Sequence, residues 1–312
     1  MNHKPTLVML GGSGFIGSHL AADFAARDWR IIVVTRSPDL SRQKLGNACE
    51  YIMSLPTLDP SAQVDLVINL AGASVGEGRW SDARKQTLID SRLGPTRQLH
   101  QWLKTATHKP ARIIQASAVG YYGNGSTHRW QPTCDEESPP QDIFVSQLCQ
   151  QWEAAARQIQ QEEDIPVSII RLGVVLGQGG GILPQLLKPV SMGVGRIGSG
   201  QQPLPWIHID DVVAAIHFIS KRSRVQDPGL VWNLTAPADT RQLQFAKTVA
   251  QQQRKRLHFG LPAGLMRLLM GEQADLVLDG QFVSPARLLD AGYTFRYPTL
   301  DDALRSLLPP AD

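Results

Sequence analysis

Three observations predict an α/β fold, a doubly wound parallel sheet with a smaller C-terminal lobe. Short apolar runs alternate with helical patterns over most of the 312 residues, as expected of strands buried on both faces and the helices that cover them. A three-glycine turn joins the first apolar run to the first helix. After residue 171 the texture becomes glycine-rich and then mostly helical, which marks a change of architecture.

The first strand is read at 7–10, and Gly11, Gly12, Ser13, Gly14, Phe15, Ile16 and Gly17 follow it directly. In such a turn the first glycine permits the bend, the second lets backbone N–H groups approach a pyrophosphate, and the third lets helix and sheet pack closely. The helix N-terminus adds its positive end. Gly11, Ser13, Gly14, Phe15, Ile16 and Gly17 are therefore expected to hold a dinucleotide. Runs at 31–34, 66–70, 113–116 and 167–171 read as buried parallel strands, with a later one at 230–234. The longest helical patterns lie at 81–105 and 144–163, and another follows Asp210. The glycine runs at 177–181 and 193–200 cannot be regular helix and suit a substrate-facing loop or a hinge. These readings assign 1–175 and 206–238 to a nucleotide-binding Rossmann domain, and 176–205 and 239–312 to the smaller lobe.

Ligands of an open parallel sheet lie at the carboxyl ends of its strands, so the residues just after each strand are the candidates. After the second strand come Thr35 and Arg36, with no acid to receive ribose hydroxyls. An arginine there favours a 2′-phosphate and hence NADP(H), the alternative being a solvated loop arginine. Leu70, Ala71 and Gly72 are small enough to let a flat cofactor lie against the backbone, and equally suit helix–sheet packing. Arg171, at the end of a buried strand, meets substrate phosphate or carboxylate, or closes a structural ion pair. Trp206 and His208 share one face of a period-two segment; they offer a cleft an apolar wall and a polar contact, or serve structure alone. Asp210 and Asp211 read as caps of the helix that follows.

Composition excludes several classes. The net charge is +3, with 22 arginines, 9 lysines and no dense basic block, which argues against nucleic acid; Arg254-Lys255-Arg256 reads as a solvated helix end. Cys49, Cys134 and Cys149 are widely spaced, without metal-ligand or disulfide spacing. No metal, no membrane span and a cytoplasmic location are expected.

The segment Ala116-Ser117-Ala118-Val119-Gly120-Tyr121-Tyr122-Gly123 makes the pattern more specific. With Asn69-Leu70-Ala71-Gly72, Arg79-Trp80, Asp90-Ser91-Arg92, 171–177, 205–211 and the tail at 271–293, the chain resembles the extended short-chain dehydrogenase/reductase superfamily. The closer likeness is to its atypical epimerase branch, described as nucleoside-diphosphate-sugar epimerase-like. That resemblance implies a Rossmann domain, an NAD(P) cofactor, a catalytic serine at Ser117 with a neighbouring tyrosine, Tyr121 or Tyr122, and a homodimer built on the two long helices. It also implies that Arg92 points into the cofactor cleft, the alternative being an arginine on the helix surface. Trp80 suits either a cleft wall or an anchor for its helix.

The superfamily's chemistry uses a tyrosine and, four residues on, a lysine. Measured back from Glu153, those positions fall near Val145 and Cys149, give or take a residue, and the stretch 141–153 holds no tyrosine or lysine. Three readings remain. Ser117 with Tyr121 or Tyr122 reduces a carbonyl; a tyrosine with no cation nearby is a better acid for that step than a base for alcohol oxidation. Alternatively the chain binds NADP(H) and regulates a partner without catalysis, or epimerises a nucleotide sugar in a rearranged site.

Overall fold

The computed structural model describes residues 4–125, 130 and 133–308. In chain order the elements are β1 Thr6–Leu10, α1 Phe15–Ala26, β2 Arg30–Val34, α2 Pro38–Leu45, β3 Glu50–Ile52, β4 Leu66–Asn69, α3 Asp82–Thr105, β5 Arg112–Ala118, α4 Phe144–Glu163, β6 Val167–Leu172, β7 Val174–Leu176, α5 Leu183–Ser191, β8 Val194–Ile197, β9 Trp206–His208, α6 Ile209–Ser220, β10 Val231–Leu234, α7 Gln242–Gln252, β11 Phe259–Leu261, α8 Ala263–Met270, α9 Asp275–Leu278, α10 Ala286–Asp290 and α11 Leu300–Leu307.

The central sheet has seven strands in the order β10-β6-β5-β4-β1-β2-β3, every pair parallel. The chain winds outward from β1 in one direction and from β4 in the other, so a crevice opens at their carboxyl ends. Alternation along β1 shows why both faces must be apolar: Leu7 and Met9 enter one core with Leu20, Phe24, Val212 and Ile216, while Val8 and Leu10 enter a second with Leu99, Trp102, Leu103 and Ile159. Helices α1 and α6 thus cover one face, and α3 and α4 the other. Each such side chain contributes about 1.5–3 kcal/mol on burial, so a charge on β1 would unseat the sheet.

A third apolar core joins α5, α7 and α11 through Leu183, Val190, Phe245, Val249 and Leu304. Helix α5 lies between the two glycine runs, each of which stays outside regular helix; the second carries β8. The strand Glu50–Ile52 is short and edge-placed, with no buried residue, so it left no apolar run to read. Helix α7 ends at Gln252, leaving Arg254, Lys255 and Arg256 exposed. Among the described residues no helix is long and apolar enough to cross a membrane.

Candidate nucleotide site and the polar network beside it

At the crevice, Gly11 adopts φ +74° and Gly14 N–H closes the turn on Gly11 O at 3.0 Å. A Cβ at Gly11 would lie 2.8 Å from the Leu70 carbonyl carbon, and one at Gly17 would lie 2.5 Å from Gly12 O. The turn is therefore pressed against both the segment after β4 and its own first residues, which only glycine allows. Gly14 is the N-cap of α1 and contributes no side chain, so the first N–H groups of the helix have no side-chain acceptor. This cradle fits a pyrophosphate. The Phe15 ring lies under the first glycine run, where a Cβ at Gly177 or Gly181 would stand 2.7 or 2.8 Å from it. That run lies on the start of α1. Ile16 packs into the core beneath the turn.

Past β2, Thr35 Oγ1 pairs with Ser41 Oγ at 2.8 Å and accepts from Ser37 N–H at 3.3 Å. Arg36 is exposed, and among the described residues no carboxylate pairs with it. Past β4, Asn69 is buried and donates to Gln115 Oε1 at 2.9 Å and Thr96 Oγ1 at 3.1 Å, while its own oxygen accepts from Ala71 N–H at 3.2 Å. The Leu70-Ala71-Gly72 backbone is fixed in this way. Arg92 lies beside Gly72, donates to Leu88 O and Ala73 O at 3.0 and 3.2 Å, and stacks 5.1 Å from the Trp152 ring.

The end of β5 holds a different chemistry. Ser117 is buried and donates to Glu153 Oε1 at 2.6 Å. The same carboxylate receives Arg171 Nε–H at 2.9 Å and Nη2–H at 2.8 Å, and Arg171 Nη1–H donates to Tyr122 Oη at 2.9 Å. Tyr122 donates to Asn233 Oδ1 at 2.7 Å. Burial raises its pKa, against the lowering pull of Arg171. Ser117, Tyr122 and Arg171 thus belong to one closed buried network centred on Glu153. Arg171 takes the ion-pair alternative left open for it, because a desolvated guanidinium is held most strongly by a bidentate carboxylate.

Residues Val119–Tyr122 form a 3-10 turn rather than an extended segment, closed by Gly123 N–H on Gly120 O. Tyr122 is therefore buried while Tyr121 is half-exposed. The Arg171 guanidinium lies 3.3 Å from the Tyr121 ring centroid, a cation absent from the sequence expectation. Among the described residues the Tyr121 hydroxyl has no hydrogen-bond partner. Val145 and Cys149 face this turn: a methyl on Gly120 would stand 3.7 Å from Val145 Cβ and 3.9 Å from Cys149 Sγ. Burial pushes the Cys149 thiol up to about 11, and Glu153 adds to the effect. The helix face beside this turn therefore carries an isopropyl group and a protonated thiol.

The remaining candidates lie elsewhere. Trp80 Nε1–H donates to Val75 O at 3.0 Å and its ring meets Phe144 edge-on, at the entrance formed by α3 and α4. Trp206 is buried in the C-terminal core and donates to Thr240 Oγ1 at 2.9 Å; it does not wall the crevice. His208 is the N-cap of α6, its Nδ1 accepting from Asp210 N–H at 3.0 Å, and it stacks on Tyr297. The cap is the histidine rather than the aspartates, because Asp211 accepts instead from Arg296 N–H and Tyr297 N–H at 2.8 and 2.9 Å. His100 approaches Glu162 and Glu163, but Lys104 and Lys109 already pair with those carboxylates.

Known proteins share this arrangement across nearly the whole chain. Residues 7–235 match the NAD dependent epimerase/dehydratase family, and residues 261–307 match a domain of unknown function, DUF1731. An epimerase family protein of Staphylococcus aureus strain NCTC 8325 is 34% identical over 302 residues, 96% of this chain and 98% of that protein. One from Mycobacterium bovis is 36% identical over 303 residues, 96% of each chain. The crystal structure of human epimerase family protein SDR39U1 (isoform 2) with NADPH superposes with a TM-score of 0.83 at 31% identity, covering 97% of this chain and 98% of that one. On the family match and these full-length likenesses, the chain belongs to the NAD dependent epimerase/dehydratase family.

Proposed function

We propose that this protein binds NADP(H) and reduces a carbonyl group of a small molecule. The cation Arg36, with no carboxylate paired to it among the described residues, supports the phosphorylated dinucleotide; so does the NADPH held by the human relative. In this reading residues 1–175 and 206–238 hold the nucleotide, with the rest as the substrate lobe. The N–H groups at the start of α1 bind the pyrophosphate, Arg36 the 2′-phosphate, and the Leu70–Gly72 backbone, with Arg92 behind it, orients the other half of the cofactor.

The bound cofactor supplies the hydride. Every other step falls to the chain's own side chains: Ser117 and Tyr122 already donate hydrogen bonds to Glu153 and Asn233, whereas among the described residues the Tyr121 hydroxyl has no partner, and this supports Tyr121 as the proton donor. Tyr121 Oη then donates its proton to the carbonyl oxygen as the carbon is reduced, and recovers it from solvent. Ser117 acts as a positioning residue, through Glu153 and Arg171, for the tyrosine ring.

The test is titration with NADPH and NADH followed by a screen of carbonyl compounds for NADPH oxidation. Arg36→Ala is expected to lower NADPH affinity about tenfold to a hundredfold while sparing NADH, as loss of a charge-assisted bond does. Tyr121→Phe is expected to cut turnover roughly 100-fold or more with NADPH affinity unchanged. Tight NADPH binding with no substrate reduced by the unmodified protein would instead support a nucleotide-dependent regulator.

A further inference from the structure

We infer that Lys44 is a second cation for a phosphate monoester on the adenosine ribose, and so a determinant of cofactor choice; the inference rests on the NADP(H) reading above. Lys44 lies on α2, three residues past Ser41, and Ser41 is pinned to Thr35 at the end of β2. Residues three apart share a helix face, so the lysine stands over the β2 end. Its Nζ donates to Ser13 O of the glycine turn at 2.6 Å. The ammonium therefore spans the two segments that flank the adenosine ribose in a doubly wound sheet, the phosphate turn and the end of the second strand.

Charge points the same way. Between Val34 and Gly46 there are three cations, Arg36, Arg42 and Lys44, and one acid, Asp39. Asp39 pairs with Arg42 at 3.6 Å, and Arg42 also lies over the Tyr51 ring. Arg36 and Lys44 are left without a carboxylate among the described residues. An ammonium has three donors; one is used on Ser13 O, and the exposed side chain has the others for an anion. Arg36 and Lys44 would approach a 2′-phosphate from the strand end and from the helix. A purely structural Lys44 would only tie α2 to the turn or complement the α2 C-terminus, and would affect every dinucleotide equally.

Titration of the whole chain and its Lys44→Met and Lys44→Arg variants separates these roles. The probes are NADPH, NADH, adenosine 2′,5′-bisphosphate and 5′-AMP. Lys44→Met is expected to weaken NADPH and the bisphosphate about tenfold or more while leaving NADH and AMP unchanged. Lys44→Arg should keep most of the NADPH affinity, and added salt should weaken NADPH less in Lys44→Met than in the unmodified protein. Equal losses for all four probes, or none, overturn the assignment of Lys44. If Arg36→Ala still lowers the NADPH preference in that case, the cofactor reading survives and only Lys44 fails. If the unmodified protein does not prefer NADPH, both fall.

Discussion

Glu153 is the residue on which the end of β5 depends. It is 7% exposed and receives three donors, one from Ser117 and two from Arg171, itself 3% exposed. Removing one partner of a buried pair leaves the other charged and unpaired, at about 3–5 kcal/mol. Glu153→Ala is therefore expected to lower the urea midpoint by that equivalent, and the double variant Glu153→Met with Arg171→Met by distinctly less. Equal losses in the single and double variants would show that packing, not pairing, is what the carboxylate supplies. An ion pair at Arg171 was one of two readings open in the sequence, but its partner was not legible, because Glu153 lies 18 residues from Arg171 and 36 from Ser117 and no periodicity links them. The glycine turn was legible because its chemistry is local: a bend, a close approach and a helix start within seven residues. Lys44 gave no signal either, since its partner, the Ser13 carbonyl, is a backbone atom.

At the scale of elements, the six apolar runs were legible because strands buried on both faces have no polar alternative; their ends shift by at most two residues. The short pair β7 and β9 was half legible. Its period-two pattern placed Trp206 and His208 on one face, but could not tell an inward face from one looking into a cleft. The structure makes His208 the cap of α6, buried against Tyr297, with Nε2 3.2 Å from Ser306 Oγ. Burial lowers its pKa from the ordinary 6.5, outweighing the upward pull of Asp210 and Asp211, while Arg296 and His19 reinforce the lowering. His217, which pairs with Asp23, is also lowered, again chiefly by burial. A histidine kept neutral in the fold binds fewer protons than in the unfolded chain, so stability falls as pH drops from about 7 toward 5. His208→Asn keeps an N-cap acceptor and removes one of the two titrations. Its denaturation midpoint should decline less steeply across that window, and a parallel decline would place the dependence on other groups.

Over the whole molecule, the C-terminal segments are tied to the sheet at several points rather than hung from it. Asp211 on α6 holds the backbone at Arg296 and Tyr297, Asn233 donates to Ser284 O at 2.9 Å and Thr235 to Val283 O at 3.0 Å. Across the entrance, Gln273 donates to Val75 O, Arg79 to Leu268 O, and Lys85 pairs with Glu272. With polypeptide crossing between the cores at β6–β7 and at β9–α6, separate melting of either part would break buried bonds of the other. One cooperative transition is expected. Tryptophans report on all three cores, Trp232 and Trp102 on the two sides of the sheet and Trp206 in the C-terminal one. Within each single-tryptophan variant, the tryptophan signal and the far-ultraviolet circular dichroism should share one urea midpoint. A nucleotide present at 100 times its dissociation constant adds about 2.7 kcal/mol to a protein that binds it only when folded, so NADPH should move all the probes together by that amount. A Trp206 signal that melts earlier and ignores NADPH would mean that the C-terminal core folds apart from the crevice.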